Sequence, residues 1–483
     1  MVKCCKKHPL TLSVVGSSLK GKPEFVWKSV MRTLTQAEWV LDNKDSQRRM
    51  KLTIKLTIEQ LGDEFKKCLR DFEALDEEFK QCLLDLGLFP RNQRISACAL
   101  LDIWMSLYDH DDMGRDTLIK IFQLADRKFV SSITIGEEAN AVVNYCEQTF
   151  TTLHDWQREL AIHFSSDEPI SQRTRLIIDA QGDDLPAPIT QTKEIIRARI
   201  LSISTGESFS SRWCNMNAPE VEVMVLNIMS ETYTLPRFLE NMNRLKVLNV
   251  TNYGLHTTKF VNFHLFGSLI SLTRIRLECV VVSLLSESLL ALVNLQKLSF
   301  IMCKTDNSFE KRSTYNPNIW PRLVEIEIDS CQDLVVFPEL FCNSVHLEKL
   351  SINNCNEMIQ IPEEFGKLTS LETLSLRSCA KLGKLPCSIS RLKKLSVLDM
   401  SDCKSLNELP ENIGELSGLQ MIYMKGCTGI RELPLSVKDL SQLQVFCDEE
   451  ISYKWLEFLN VKIPVVEEDR LFTLTEKIFN ACF

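Results

Sequence analysis

The sequence predicts an α/β protein, a mainly helical N-terminal region followed by a solenoid of parallel strands, and three observations predict it. A segment with the pattern LxxLxLxxC, completed by a proline seven positions after the cysteine, recurs every 24 residues in the C-terminal half. The first 190 residues instead place apolar side chains at helical spacing among long charged stretches. A chain of 483 residues is also too long for one hydrophobic core, so separate modules are expected.

The repeat is the richest of these signals. Its leading leucines are Leu323, Leu347, Leu371, Leu395 and Leu419. Its cysteines are Cys331, Cys355, Cys379, Cys403 and Cys427, and its prolines are Pro338, Pro362, Pro386, Pro410 and Pro434. Looser copies begin at Leu295 (with Cys303), Leu272, Leu245 and Val221, the last keeping Pro236, which gives nine coils. A strand at Ala198–Ile203 is expected to begin the stack, and Leu443 starts a degenerate tenth coil that closes it.

These are leucine-rich repeats. The LxLxx portion is a short parallel strand with inward leucines, and successive strands stack at about 4.8 Å. The equivalent cysteines then form an interior ladder in which a small, weakly polar thiol packs rather than reacts. Stacked thiols are safest in a reducing compartment, which favours an intracellular protein. The glycosylation triplet Asn249-Val250-Thr251 falls inside a predicted strand and reads as chance.

In such a solenoid the non-leucine positions of each strand form the concave face, where function resides. Alternation assigns to it Arg274, Arg276 and Glu278, then Glu325, Glu327 and Asp329, then Lys349, Ser351 and Asn353. Thr373, Ser375 and Arg377 follow, and Met421, Tyr423 and Lys425 lie near the end. An acidic row flanked by basic ones fits a mixed-charge protein partner anchored on Tyr423. The plain alternative is a solvated face with no dedicated ligand.

Composition narrows the function. With 56 Lys+Arg against 64 Asp+Glu, the net charge of -8 supplies no positive field for nucleic acid. No apolar run approaches the roughly 18 residues of a membrane-spanning helix. His8, Pro9, Thr11 and Ser13 dilute the stretch after Lys3, Lys6 and Lys7 too far for a secretory signal.

Catalytic signals are weak, and no enzyme or metal site is expected. Gly16-Ser-Ser-Leu-Lys-Gly21-Lys22 has the spacing of a phosphate loop, but Pro23 stands where a hydroxyl would hold magnesium. Asp109-His110-Asp111-Asp112 lacks the glycine and distal glutamate of a calcium loop. No Ser/His/Asp, paired Cys-x-x-Cys or His-Glu-x-x-His arrangement stands out. The echo of Asp63-Glu-Phe-Lys-Lys-Cys-Leu69 in Glu77-Glu-Phe-Lys-Gln-Cys-Leu83 reads as an amphipathic helical segment packed on its neighbours.

Two stretches make a family visible. Cys82-Leu-Leu-Asp-Leu-Gly-Leu-Phe-Pro90 runs on to Leu101-Asp-Ile-Trp104, and Leu153-His154-Asp155 is followed by Arg158-Glu-Leu-Ala-Ile-His163. Together with the repeats and Lys6-Lys-His-Pro-Leu-Thr-Leu12, they resemble plant NB-ARC leucine-rich-repeat disease-resistance receptors of the helper subclass.

The resemblance implies a remnant of the first NB-ARC helical subdomain at 1–48, a winged-helix subdomain at 49–180, the solenoid at 195–465 and a tail at 466–483. It also implies an ADP site lined by Pro9, His154 and Asp155, cytoplasmic location with a peripheral plasma-membrane alternative, and protein partners such as other immune receptors or signalling proteins. Oligomers are implied only with an intact switch domain.

The departures are specific. Lys7 replaces the usual glycine of the GxP segment, and Leu153 replaces the methionine before the histidine. The phosphate loop, magnesium-binding aspartates and sensor arginine have no counterpart in these residues. The expectation is a binding module without ATP hydrolysis, or a fragment of an ADP-switched receptor that starts upstream. An extracellular repeat receptor would require a cleaved signal and a glycan on Asn249. A substrate-recruiting protein of a ubiquitin ligase would require an F-box-like region, which residues 1–190 do not resemble.

Overall fold

The computed structural model describes residues 72–108, 114–127, 129–134, 148–153, 155–166, 168–180, 184–192, 194–282, 292–305, 320–440, 442–456 and 458. The chain divides into two compact units between Arg276 and Leu277.

The first unit opens with helices. α1 (Glu77–Leu86) starts where the Asp76 carboxylate accepts the Phe79 amide at 3.0 Å, with Glu77 and Glu78 against the positive end of the helix dipole. It is the second copy of the sequence echo; the first lies outside the described residues. α2 (Ala97–Tyr108) and α3 (Arg115–Asp126) follow, and α4 (Asp155–Ser165) packs on α1. Three short antiparallel strands, β1 (Ile95–Ser96), β2 (Ser131–Thr134) and β3 (Thr149–Thr152), pair in the order β1-β3-β2. Cys82, Leu83, Leu86, Leu100, Ile103 and Trp104 fill the core between them.

The ladder of coil strands counts twelve among the described residues. In the first unit it comprises β4 (Arg175–Ala180), β5 (Ile200–Thr205), β6 (Val223–Ile228) and β7 (Val247–Asn252), each parallel to the next. β8 (Arg274–Glu278) falls at the division between the units. The stack therefore begins one coil before the expected Ala198–Ile203 strand, and β4 lies inside the 49–180 stretch that the resemblance gives to the winged-helix subdomain. The reason is chemical: β4 reads Arg-Leu-Ile-Ile-Asp-Ala and has neither the leading leucine nor the cysteine and proline that mark a repeat.

The second unit continues with β9 (Lys297–Ile301), β10 (Glu325–Asp329), β11 (Lys349–Asn353), β12 (Thr373–Ser375), β13 (Val397–Asp399), β14 (Met421–Tyr423) and β15 (Gln444–Phe446). Register follows the period: Glu325 faces Lys349, Lys349 faces Thr373, and Val397 faces Met421. Each strand from β9 to β14 is followed by one residue in the left-handed region: Met302, Ser330, Asn354, Ser378, Asp402 or Gly426, with φ between 50° and 75°. That residue turns the chain so that the next, the ladder cysteine, points inward. Asn354, Asp402 and Gly426, three of the six, are the residue types that tolerate this backbone best.

The thiols do more than fill space. Cys303 donates to the Leu277 carbonyl (3.2 Å), Cys379 to Ile352 (3.2 Å), Cys403 to Leu376 (3.0 Å) and Cys427 to Met400 (2.9 Å), each in the preceding coil. A weak donor thus satisfies a carbonyl that the bend removes from the strand ladder. Burial pushes the Cys303, Cys355 and Cys403 thiols up to about 12, which keeps them protonated. No disulfide joins cysteines among the described residues.

Prolines then start the return. Pro338, Pro362, Pro386 and Pro434 each precede a 3₁₀ turn whose apolar face is buried. α5 (Glu449–Leu456) follows β15 and buries Ile451 and Trp455, as a terminal cap must.

Candidate interaction surface

In the first unit the concave strand face is already covered by the chain's own helical region. Ile200, Val223, Val225 and Val247 project from β5, β6 and β7 into the same core as Leu83, Leu88 and Ala99. Polar side chains at alternate positions add directional bonds. The Leu88 carbonyl accepts from Ser202 Oγ at 2.5 Å and Asn227 Nδ2 at 3.0 Å, and the Ala99 carbonyl accepts from Asn249 Nδ2 at 3.4 Å. Asn249 is 2% exposed, so the glycosylation triplet is inaccessible in the folded chain.

Charged groups complete this contact. The buried Asp85 carboxylate of α1 accepts from Arg175 Nε of β4 at 2.7 Å and from the Tyr108 hydroxyl of α2 at 2.6 Å. Arg175 Nη2 also donates to the Tyr108 oxygen at 3.0 Å. Burial raises the Asp85 pKa, while Arg175 and Tyr108 oppose that rise by stabilising the charged form. Arg158 of α4 donates to the Phe89 carbonyl at 2.5 Å and lies 3.7 Å from Asp179 of β4. Arg274, expected to face a partner, instead meets Asp102 of α2 at 3.3 Å, and Arg276 is buried. Asp155 is the first residue of α4, whereas Pro9 and His154 lie outside the described residues.

In the second unit the acidic row is partly compensated from within. Lys297, buried on β9, lies 3.3 Å from Glu325 and 3.9 Å from Glu327, and Ser299 Oγ donates to Glu327 at 2.9 Å. Asp329 accepts from Ser330 Oγ at 2.8 Å and Asn354 Nδ2 at 2.9 Å. Arg377 lies 3.7 Å from the buried Asp399, whose pKa burial raises against the bonds from Ser401. Lys349 is half-buried and Lys425 exposed.

Tyr423 departs from the expected exposed anchor. It is 4% exposed, stacks on Phe446 with centroids 4.5 Å apart, and donates its hydroxyl to Met421 Sδ. Stacking on the next coil gives its ring more contact than solvent would. Lys297 and Asp399 were missed by the sequence reading, although both occupy the alternating strand positions that define the face. The arrangement offers charge and shape to a protein. Among the described residues no group of three metal-ligating side chains comes together.

No protein-family profile matches the chain. It is 35% identical over 349 residues to a probable disease resistance protein of Arabidopsis thaliana (At4g33300), covering 72% of this chain and 40% of that one. A second Arabidopsis thaliana protein, the probable disease resistance protein At5g66890, is 37% identical over 286 residues, 58% of this chain and 67% of that one. This chain belongs to the plant disease resistance proteins.

The chain spans about two fifths of the length of the first of these relatives. Among solved structures, the leucine-rich repeat domain of the type III effector XopL aligns with a TM-score of 0.42 and 19% identity, covering 49% of this chain and 79% of that one. As a disease resistance protein, the chain carries a leucine-rich-repeat ladder of parallel strands. No helix among its described residues is long and apolar enough to cross a membrane.

Proposed function

We propose that this chain is a protein-binding component of a cytoplasmic plant immune receptor and has no catalytic activity of its own. The observation that supports the reading best is the covered concave face of the first unit. There the strand side chains Ser202, Asn227 and Asn249 are committed to backbone carbonyls of residues 88 and 99. A face committed to its own chain leaves the charged positions of later coils for partners.

On this reading the helical region is the winged-helix subdomain of an NB-ARC switch. The solenoid, counted from Arg175, receives other immune receptors or signalling proteins. ADP is bound with the help of Pro9, His154 and Asp155, as the resemblance implies, in a receptor that also supplies a phosphate loop.

Reversing Glu325, Glu327 and Asp329 would be a poor test, because it would set lysines against the buried Lys297. Lys349→Glu combined with Lys425→Glu changes the same face at its more accessible positions. Co-immunoprecipitation from leaf tissue with co-expressed full-length family receptors should capture at least one with the wild-type chain. The double variant should reduce that capture by about fivefold or more, on the scale of paired interface charges. Capture that ignores both substitutions would refute the concave-face assignment.

A further inference from the structure

On the return side of the first unit, opposite the strand ladder, lies a cavity of about 780 Å³ that the proposed function does not use. Its wall is aromatic and fixed. Trp213, on the long loop between β5 and β6, donates its indole N–H to the Thr234 carbonyl at 2.7 Å. Its ring meets Phe238 edge-on at 5.8 Å, with Tyr233 at 5.9 Å and Phe209 at 5.0 Å behind it. Asn262 grips the Leu235 backbone through both its amide atoms, at 2.7 and 2.9 Å, so the wall is tied down from the next coil as well. Leu235 and Leu265 supply a buried apolar floor.

The rim has a different chemistry. Arg237 and Glu240 stand on one 3₁₀ turn (Arg237–Asn241), and His264 stands on that of the next coil (Phe263–Ser268). All three are exposed, and among the described residues no hydrogen bond or ion pair engages them or Asn215. Some exposed charges of this unit do find partners, as Arg199 and Lys246 do on Glu222. The cavity thus combines a rigid aromatic wall, an apolar floor and two basic side chains against one carboxylate, on a chain of net charge -8.

We propose that this cavity binds a short segment of a partner protein that presents an aromatic or large aliphatic side chain beside a carboxylate. The apolar side chain lies against Trp213 and Phe238 over Leu235 and Leu265. The carboxylate pairs with Arg237, supported by His264. The volume suits a few residues of extended chain, and the fixed wall means little ordering cost on binding. The site is separate from the concave face, so it survives a failure of the proposed function.

The test pans a randomised heptapeptide display library against the full chain, with the Arg237→Glu/His264→Glu double variant as counter-selection. Both substituted positions are exposed, so the variant keeps the fold, and a matching melting curve verifies it. The expected result is enrichment of sequences with Asp or Glu next to Phe, Trp, Tyr or Leu. An enriched peptide, labelled and followed by anisotropy, should bind the double variant about tenfold or more weakly, as for loss of a specific charge pair. Raising salt should weaken wild-type binding. No enrichment over the counter-selection, or equal binding to both proteins, overturns the proposal. So does a monomer–dimer equilibrium of the wild-type chain that the double variant abolishes, which would assign the cavity to a second copy.

Discussion

Removing the guanidinium of Arg175 should release the helical region from the solenoid, and the structure sets the scale. Arg175→Met leaves the Asp85 carboxylate, fully buried, without its cationic partner and held by the neutral Tyr108 hydroxyl. Stripping one member from a buried pair costs about 3–5 kcal/mol, because the remaining charge is uncompensated. At about 1.4 kcal/mol per decade, amide exchange of residues 77–86 and 97–108 should accelerate by roughly two to three and a half orders of magnitude. Exchange in β11 to β13 should not change. Adding Asp85→Leu removes the orphaned charge and should recover most of the loss, since apolar replacement of a buried pair is often close to neutral.

The pH dependence separates this cause from simple loss of packing. Burial raises the folded pKa of Asp85 above its unfolded value, and losing Arg175 raises it further. A carboxyl raised in the folded state contributes stability that is complete below about pH 4 and is lost as pH rises through the folded pKa. Arg175→Met should therefore hold its helices more tightly at pH 4.5 than at pH 7, and the double variant should show no such trend. Equal protection of Arg175→Met and wild type, or additive costs of the two substitutions, would refute the argument.

The remaining predictions concern the coils. Cys379→Ala removes the donor to the Ile352 carbonyl and should cost about 1–3 kcal/mol in denaturant unfolding, whereas Cys379→Ser keeps a donor and should cost less. The raised pKa values of Cys303, Cys355 and Cys403 mean stability that is complete below about pH 8.5 and lost as pH climbs toward 12. The loss is about 1.4 kcal/mol per pH unit for each thiol, visible as a steep alkaline transition. At pH 8 the exposed Cys387 should react with a disulfide reagent well before any ladder thiol. At the left-handed positions, Ser330→Gly and Ser378→Gly should each stabilise by about 0.5–1 kcal/mol. Gly426→Val should destabilise, since its Cβ would stand 2.3 Å from Asp402 Oδ1, and thermal melts check both signs.

The solenoid was legible because its contacts are local in a periodic sense. A residue's main neighbours are its equivalents 24 positions away, as Glu325, Lys349 and Thr373 are along the ladder. The same leucine, bend residue, cysteine and proline must therefore solve the same packing problem in every coil, and period and register can be read along the chain. The sequence alone thus determined the coils from Val221 onward, the buried cysteines, and which side chains alternate onto the concave face.

Only the tertiary structure decided what those side chains meet. Arg175 finds Asp85 across 90 positions, and Asn249 finds the Ala99 carbonyl across 150, distances that follow no period. For the same reason β4 joined the stack without a repeat signature, and Lys297 paired with Glu325 in an acidic row that looked open. Tyr423 turned from an expected anchor into a ring stacked on Phe446. Periodicity fixes which face a residue occupies. Whether that face meets solvent, a neighbouring coil or the chain's own helices depends on surfaces that come together only after folding, and burial is settled by that meeting.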